Sequence, residues 1–285
     1  MVCCADNITG VIFFSRNIDS VESLAKQIQT LKNIKPNFKF YIDFEGGKVN
    51  RFSHLGSNIE SSFLLGAHYD STKNCMNQKS ALFRYKIQLL PVAQFYAQLG
   101  INTVFGPCID VLGISPVIRN YARAYSRNIE TIFAISSVFI EVFESFGIQC
   151  VLKHYPSHAM ALGDTHTQCA IDQRAHAEIT PELALYRVLI ESFPNLGVMM
   201  SHCVFPSLCS IPVSLSPYWN EQVKKLTNGD IFTDCLDMDA VDNFLNVSSL
   251  KTTAGYKVFS RIDGSFAKIF PKTVGLEFKN EIHGI

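Results

Sequence analysis

Ionisable side chains collect directly behind the short apolar runs of this chain. Asp43 and Glu45 follow Phe40-Tyr41-Ile42. Lys153 and His154 follow Cys150-Val151-Leu152, with His158, Asp164 and His166 a little further on. Ser201 and His202 follow Val198-Met199-Met200, and Thr233 and Asp234 follow Ile231-Phe232. An aspartate stays ionised near neutrality, and an imidazole with an ordinary pKa of ~6.5 can both give and take a proton there. Asp164 stands two residues before His166, close enough for its carboxylate to accept a ring N–H and fix the tautomer. Taken singly, any of these residues is as readily a cap or a satisfied polar group. Their recurrence behind successive apolar runs is what points to a common site.

The runs themselves read as strands. Residues 10–14, 40–43, 102–105, 149–152, 198–200 and 230–232 are apolar and short, and Lys257-Val258-Phe259 is a weaker seventh. Helical patterns separate them. Asp19 with Glu22 resembles a capping box ahead of Val21, Leu24, Ile28 and Leu31. A helix is predicted from Ser80 to Leu99, broken at Pro91 and closed by Gly100. Another runs from Asn128 to Gly147, a third opens at Thr180-Pro181, and a fourth runs from Ser216-Pro217 to Leu226. Strand and helix alternating with short connections predict a parallel sheet in an α/β fold. Every strand's C-terminal end then lies on one face, where a (β/α)8 barrel keeps its active site; such a barrel takes roughly 250 residues. No linker or repeat divides the chain, so residues 1–285 are read as one domain.

Composition excludes other classes. The 285 residues carry 25 Lys plus Arg and 25 Asp plus Glu, so no net field favours nucleic acid or an anionic membrane. No apolar run reaches the ~18 residues of a spanning helix. Residues 1–6 lack a basic region followed by an apolar stretch, so no secretory signal is expected. Nine cysteines without a CxxC pair read as reduced thiols of a cytoplasmic protein, the adjacent Cys3-Cys4 included. The 22 phenylalanines are read as core filling.

The longer motifs resemble a known family. Ile42-Asp43-Phe44-Glu45-Gly46-Gly47-Lys48-Val49-Asn50-Arg51-Phe52 is similar to the IDQEGGRVQRF signature of family 3 glycoside hydrolases, in the bacterial β-N-acetylglucosaminidase (β-hexosaminidase) branch. Lys153-His154-Tyr155-Pro156-Ser157-His158 with Asp164-Thr165-His166 resembles KHFPGHG…DSH, and residues 231–238 resemble IFSDDLSM. Shorter matches fall in order between them, at Phe105–Val111, Arg123–Tyr125 and Met199–His202.

The resemblance implies a retaining glycosidase on a TIM-like barrel, needing no cofactor and no metal. It would remove terminal β-linked N-acetylglucosamine, as from peptidoglycan recycling fragments that carry anhydro-N-acetylmuramic acid with or without peptide. Asp234 would be the nucleophile, His166 the general acid/base, and Asp164 its orienting partner. Asp43, Arg51, Arg123, Lys153 and His154 would hold the sugar. Partners would be a small carbohydrate only, with no nucleic acid or membrane, on a monomer or weak oligomer. Retention needs a nucleophile on one face of the sugar and a proton donor at the leaving oxygen, and a histidine can replace the usual second carboxylic acid.

The sequence departs from the pattern in four places. Ser157 and Ala159 replace glycines, which predicts a loop of different shape or mobility. Cys235 and Asp237 replace Asp and Ser, and a carboxylate at Asp237 would raise the pKa of Asp234. Lys48 replaces an arginine. The family's strand and helix ahead of residue 10 have no counterpart, and only Ala254-Gly255 resembles its last strand, so seven strands are expected where a closed barrel has eight. An open barrel would expose two edges unless residues 1–5 or a partner covered them. These departures favour a second functional class, a weakly active or inactive sugar-binding descendant. A zinc-type reading of His154, His158, Asp164 and His166 also fits their chemistry. His202 is expected to be a packed histidine. His54, His68, His176 and His283 are expected at the surface, as is Lys224-Lys225.

Overall fold

The computed structural model describes residues 8–72, 74–236, 238–241, 256–259 and 267–271. The expectations for residues 1–5, Asp237, Ala254-Gly255 and His283 lie outside the described residues. Strands β1 (Gly10–Phe13), β2 (Lys39–Gly46), β4 (Thr103–Cys108), β5 (Gln149–Tyr155), β6 (Gly197–Met200), β7 (Ile231–Cys235) and β8 (Tyr256–Phe259) run parallel in that order around one sheet. A two-residue strand, β3 (Val49–Asn50), folds back on β2. Between the strands lie α1 (Val21–Ile34), α2 (Ser62–Ser71), α3 (Cys75–Leu99), the single turn α4 (Pro116–Arg119), α5 (Ile129–Ser145), α6 (His176–Ser192) and α7 (Pro217–Leu226).

The barrel is closed, contrary to the open edge that the sequence predicts. An eighth barrel strand, β9 (Ala267–Pro271), pairs antiparallel with β8 on one side and with β1 on the other. Gly10 lies opposite Ile269, and Ile12 opposite Ala267. Closure removes both sheet edges, which would otherwise present unpaired backbone groups. The sequence hides β9 because Ala267-Lys268-Ile269-Phe270-Pro271 is a short run that mixes a lysine with apolar residues and ends in proline.

Alternation along each strand separates an outer from an inner layer. Phe40, Ile42 and Phe44 of β2, Cys150 and Leu152 of β5, and Val198 and Met200 of β6 belong to the large core beneath the helices. Ile12, Tyr41, Phe105, Val151, Met199 and Phe232, from six strands, form a separate cluster inside the barrel together with Cys235. The Tyr41, Phe105 and Phe232 rings lie 5.1–5.8 Å apart. Such pairs contribute about 0.5–1.5 kcal/mol each beyond burial. This cluster floors the site, because the next inward positions are Asp43, Lys153, Ser201 and Asp234.

Several helix limits differ from the sequence reading. Ser20, not Asp19, caps α1, its hydroxyl accepting from the Ser23 N–H. α2 was not expected, since its segment lacks a 3.6-residue apolar period. α3 runs on through Pro91; the carbonyl that Pro91 cannot bond belongs to Ile87, which is exposed, so water can satisfy it. α6 starts at His176, a turn before Pro181, with the Glu178 carboxylate accepting from the Ala175 N–H. Among the described residues no helix is long and apolar enough to cross a membrane.

Candidate active site

The hairpin between β2 and β3 makes the first half of the site. Gly46 and Gly47 have φ of +82° and +52°, and a Cβ on either would sit within 2.8 Å of the 60–61 backbone or the Ser61 side chain. Glycine is therefore required there. The turn carries Arg51 back over β2, where its guanidinium pairs with Asp43. Lys153 arrives from β5 and bridges two acids, with Nζ 2.9 Å from Asp43 Oδ1 and 2.7 Å from Glu45 Oε1. Arg123 grips Glu45 with two bonds of 2.8 Å. Lys153 and Glu45 are 3% and 1% exposed at the side chain, a depth at which charges survive only when paired.

Burial acts to raise the pKa of both acids, and the cations override it. Lys153 and Arg51 hold Asp43 well below the ordinary carboxylate range, and Arg123 and Lys153 hold Glu45 at about 2. Asp43, Glu45, Lys153 and Arg123 stay charged at neutrality, a set of paired donors and acceptors.

A second layer fixes this array. Arg123 Nη2 lies 3.1 Å from His154 Nε2, and His154 Nδ1 lies 2.7 Å from Asp110 Oδ2. A guanidinium has only donors, so Nε2 accepts and the Nδ1–H donates to Asp110. The other Asp110 oxygen accepts from the His158 N–H at 2.6 Å. Cys108, Asp110 and His154 place their polar atoms within 4.8 Å of one another, the spacing of a metal site. Here Asp110 already receives the Cys108 thiol and the His154 N–H, and Arg123 stands against the imidazole, so the residues fit a hydrogen-bonded network rather than a cation. The zinc-type grouping drawn from sequence does not assemble: His158 is buried against the Ser115 hydroxyl, while Asp164 and His166 lie on an exposed loop.

Asp234 leaves the end of β7, half-buried, and Oδ1 accepts from the Cys235 N–H at 2.8 Å. Burial pushes its pKa up, but His154, His202, that N–H and Lys153 together bring it below the usual value. The increase expected from Asp237 concerns a residue outside the described ones. His202 is fully buried, between the Ser214 hydroxyl at 2.6 Å and the Cys235 carbonyl at 2.8 Å. It bonds the residue that follows Asp234, and both Asp234 and His166 act on its proton affinity.

His166 sits on the long loop after β5. Its Nδ1 is 2.7 Å from Asp164 Oδ1, which also accepts the His166 backbone N–H at 2.9 Å. Nε2 is thereby left as the nitrogen for proton exchange. The dyad is open to solvent, 55% and 38% exposed. The loop is nonetheless tied down: Ala240 N–H donates to the Thr165 carbonyl, joining it to the segment that follows Asp234. Ser157 and Ala159 have no positive φ, so replacing glycine costs no backbone strain there. Lys48 lies over the Tyr121 ring at 5.4 Å.

The eight residues singled out from sequence thus fall into a charged array, buried at Lys153 and His154 and half-buried at Asp43, Arg51 and Arg123, a strand-end carboxylate (Asp234) and a loop dyad (Asp164, His166). Glu45 and Asp110 were passed over as binding groups, although both lie inside the matched motifs. The signal was available: an acid within an apolar strand must be paired, and each has its cation or imidazole here.

A barrel of seven parallel strands closed by one antiparallel strand, with paired carboxylates, cations and an imidazole at the C-terminal ends of the parallel strands, defines a glycosidase-type site. The chain matches the model for the glycosyl hydrolase family 3 N-terminal domain over residues 2–254, and it belongs to that family. It is similar to a beta-hexosaminidase of Shewanella frigidimarina, 28% identical over 257 residues that cover 87% of this chain and 73% of the relative. It is 31% identical to a beta-hexosaminidase of Idiomarina loihiensis over 240 residues, 82% of this chain and 69% of the relative. Among solved structures it resembles NagZ from Neisseria gonorrhoeae in complex with N-trifluoroacetyl-D-glucosamine, with a TM-score of 0.72, 26% identity, and coverage of 81% and 67% of the two chains.

Proposed function

We propose that this protein is a retaining β-N-acetylglucosaminidase that removes terminal β-linked N-acetylglucosamine from peptidoglycan recycling fragments in the cytoplasm. The observation that carries the reading is the charged array of Asp43, Lys153, Glu45 and Arg123 beside a strand-end aspartate of lowered pKa, with a histidine–aspartate dyad on the loop bonded to the segment after that aspartate. Asp43 and Lys153 would hold sugar hydroxyls by charge-assisted hydrogen bonds. Asp234 would attack the anomeric carbon while His166 Nε2 protonates the leaving oxygen. Water would then attack the glycosyl–Asp234 ester, His166 taking its proton, and the carboxylate would leave. Asp164 would keep the ring tautomer and stabilise the imidazolium. The relatives' activity and the acylamino sugar bound by the gonococcal structure support the substrate class. The seven unpaired cysteines among the described residues accord with a reducing compartment.

The test is hydrolysis of a chromogenic β-N-acetylglucosaminide and of GlcNAc–anhydro-MurNAc. Turnover should appear with both and fall by about 10²–10⁴ in His166→Ala, and Asp234→Ala should abolish it. Binding without turnover in the wild type would overturn this reading in favour of a sugar-binding descendant.

A further inference from the structure

The loop that carries Asp164 and His166 spans residues 156–175 between β5 and α6, and its two roots meet at one guanidinium. Arg174 Nε and Nη2 bond both oxygens of Asp172, at 2.8–3.1 Å. Nη1 and Nη2 bond the two oxygens of Glu182 on α6, at 2.8 and 3.2 Å. Nη2 also reaches Ser157 Oγ, 3.2 Å away at the opposite root. Asp172 is fully buried and Ser157 nearly so. The Arg174 carbonyl accepts from the Ser207 hydroxyl at 2.6 Å.

Further along the loop, Leu162 and Ile171 exchange two backbone bonds, and Asp172 N–H donates to Val204. The loop is therefore tied at its roots by Arg174, at its waist by Leu162–Ile171 and near its tip by Thr165–Ala240. The side chains of the dyad are exposed and bonded to each other, and the Asp164 carbonyl is held only by its loop neighbours Thr167 and Gln168. The roots, the waist and the Thr165–Ala240 bond are what hold the segment that carries the dyad.

We propose that Arg174 is a positioning residue for proton transfer: by clamping Ser157, Asp172 and Glu182 it closes the two roots of the 156–175 loop and so holds His166 where it serves the leaving oxygen. Ser157, where the family signature has glycine, adds the cross-root bond. The inference rests on the proposed hydrolysis. A displacement of the imidazole by about 1 Å costs on the order of 10²-fold in rate.

The experiment compares wild type, Arg174→Lys, Arg174→Met, Ser157→Gly and His166→Ala on aryl β-N-acetylglucosaminides of graded leaving-group acidity, with and without azide. Arg174→Met should lose about 10²-fold on a poor leaving group and far less on a dinitrophenolate, which departs without a proton. Azide should raise its turnover and yield the β-glycosyl azide, because the anion attacks the anomeric carbon and releases Asp234 with no base needed. Ser157→Gly removes the cross-root bond along with the hydroxyl's bond to the Ala159 N–H but leaves Arg174 on Asp172 and Glu182, and should show the same pattern, weaker; it carries the test if Arg174→Met fails to fold. Arg174→Lys should fall between. A uniform loss over all leaving groups without azide rescue would reduce Arg174 to a structural role and overturn the proposal. Unchanged kinetics in Ser157→Gly and Arg174→Lys together would do the same. A wild type that turns over none of these substrates would instead overturn the hydrolase reading, and the proposal with it.

Discussion

Ala240 N–H donates to the carbonyl of Thr165 across 3.3 Å. One residue after Thr165 stands the imidazole proposed as acid and base, and six residues before Ala240 stands the proposed nucleophile. Two segments separated by some 70 positions in the chain are thus joined by backbone alone, and a side-chain substitution in either leaves the joint in place.

The lowered pKa of Asp234 sets the acid limit of catalysis. A nucleophile must be ionised, and below its pKa it is protonated and inert. Burial alone would move that limit upward, but the neighbouring imidazoles, the Cys235 N–H and Lys153 move it down. kcat/KM, which reads the glycosylation step where Asp234 attacks and His166 acts as acid, should therefore hold without an acid limb down to about pH 4, the ordinary aspartate value. Brief assays across pH 3–7 check this; an acid limb near pH 5–6 that persists in brief assays would contradict it.

His158 should dominate the loss of stability in mild acid. Burial, followed by the nearby His154, lowers its pKa from 6.5 to about 4. The unfolded chain takes up the proton near pH 6.5 and the native one resists it, so stability is complete above 6.5, falls as pH drops to about 4, and is level below. That difference in proton affinity is worth on the order of 3 kcal/mol. His158→Asn should flatten this slope without abolishing it, since His202 is lowered in the same sense. Urea titrations at several pH values read the slope directly; identical slopes would count against His158.

Removing Arg123 should unfold the protein more than it disturbs any surface charge. Glu45 is buried and Arg123 supplies two of its bonds, so Arg123→Met leaves a carboxylate with Lys153 alone. Breaking one side of a buried pair costs about 3–5 kcal/mol. The denaturation midpoint should fall accordingly at an unchanged m-value, and Glu45→Gln in the same chain should recover part of the loss. A change under ~1 kcal/mol would mean that Lys153 suffices.

Ala122 precedes Arg123 in a left-handed conformation, φ +53°, and its carbonyl accepts the Phe63 N–H. An alanine pays roughly 1–2 kcal/mol for that geometry. Ala122→Gly should be neutral or stabilising, the relief offset by unfolded-state entropy. Ala122→Val should lower the melting temperature and weaken substrate binding as Arg123 shifts. A tolerated valine would show that the conformation is not required.

Much of this was legible before any coordinates. Strand-ending polar residues name their own face of a barrel, because period-two alternation puts Asp43 above Tyr41, Lys153 above Val151 and Asp234 above Phe232. Helix α7 was legible at both limits, since Ser216-Pro217 is an explicit start signal. What escaped has physical causes. α6 begins on an alanine, a poor cap compensated by Glu178. β9 is antiparallel and owes its place to the partners on either side, not to its own pattern. Arg174 sits in no matched motif, and its value depends on Ser157 and Glu182 being near it in space.

The pairing of β9 with β1 has a consequence for biosynthesis. Gly10–Phe13 leaves the ribosome roughly 250 residues ahead of Ala267–Pro271. At about 5–20 residues per second, the first strand waits some 10–50 s for its second neighbour. Throughout that interval the nascent chain carries an unfinished cylinder with one bare flank, and a chaperone that shields such flanks would find this polypeptide a client until β9 emerges.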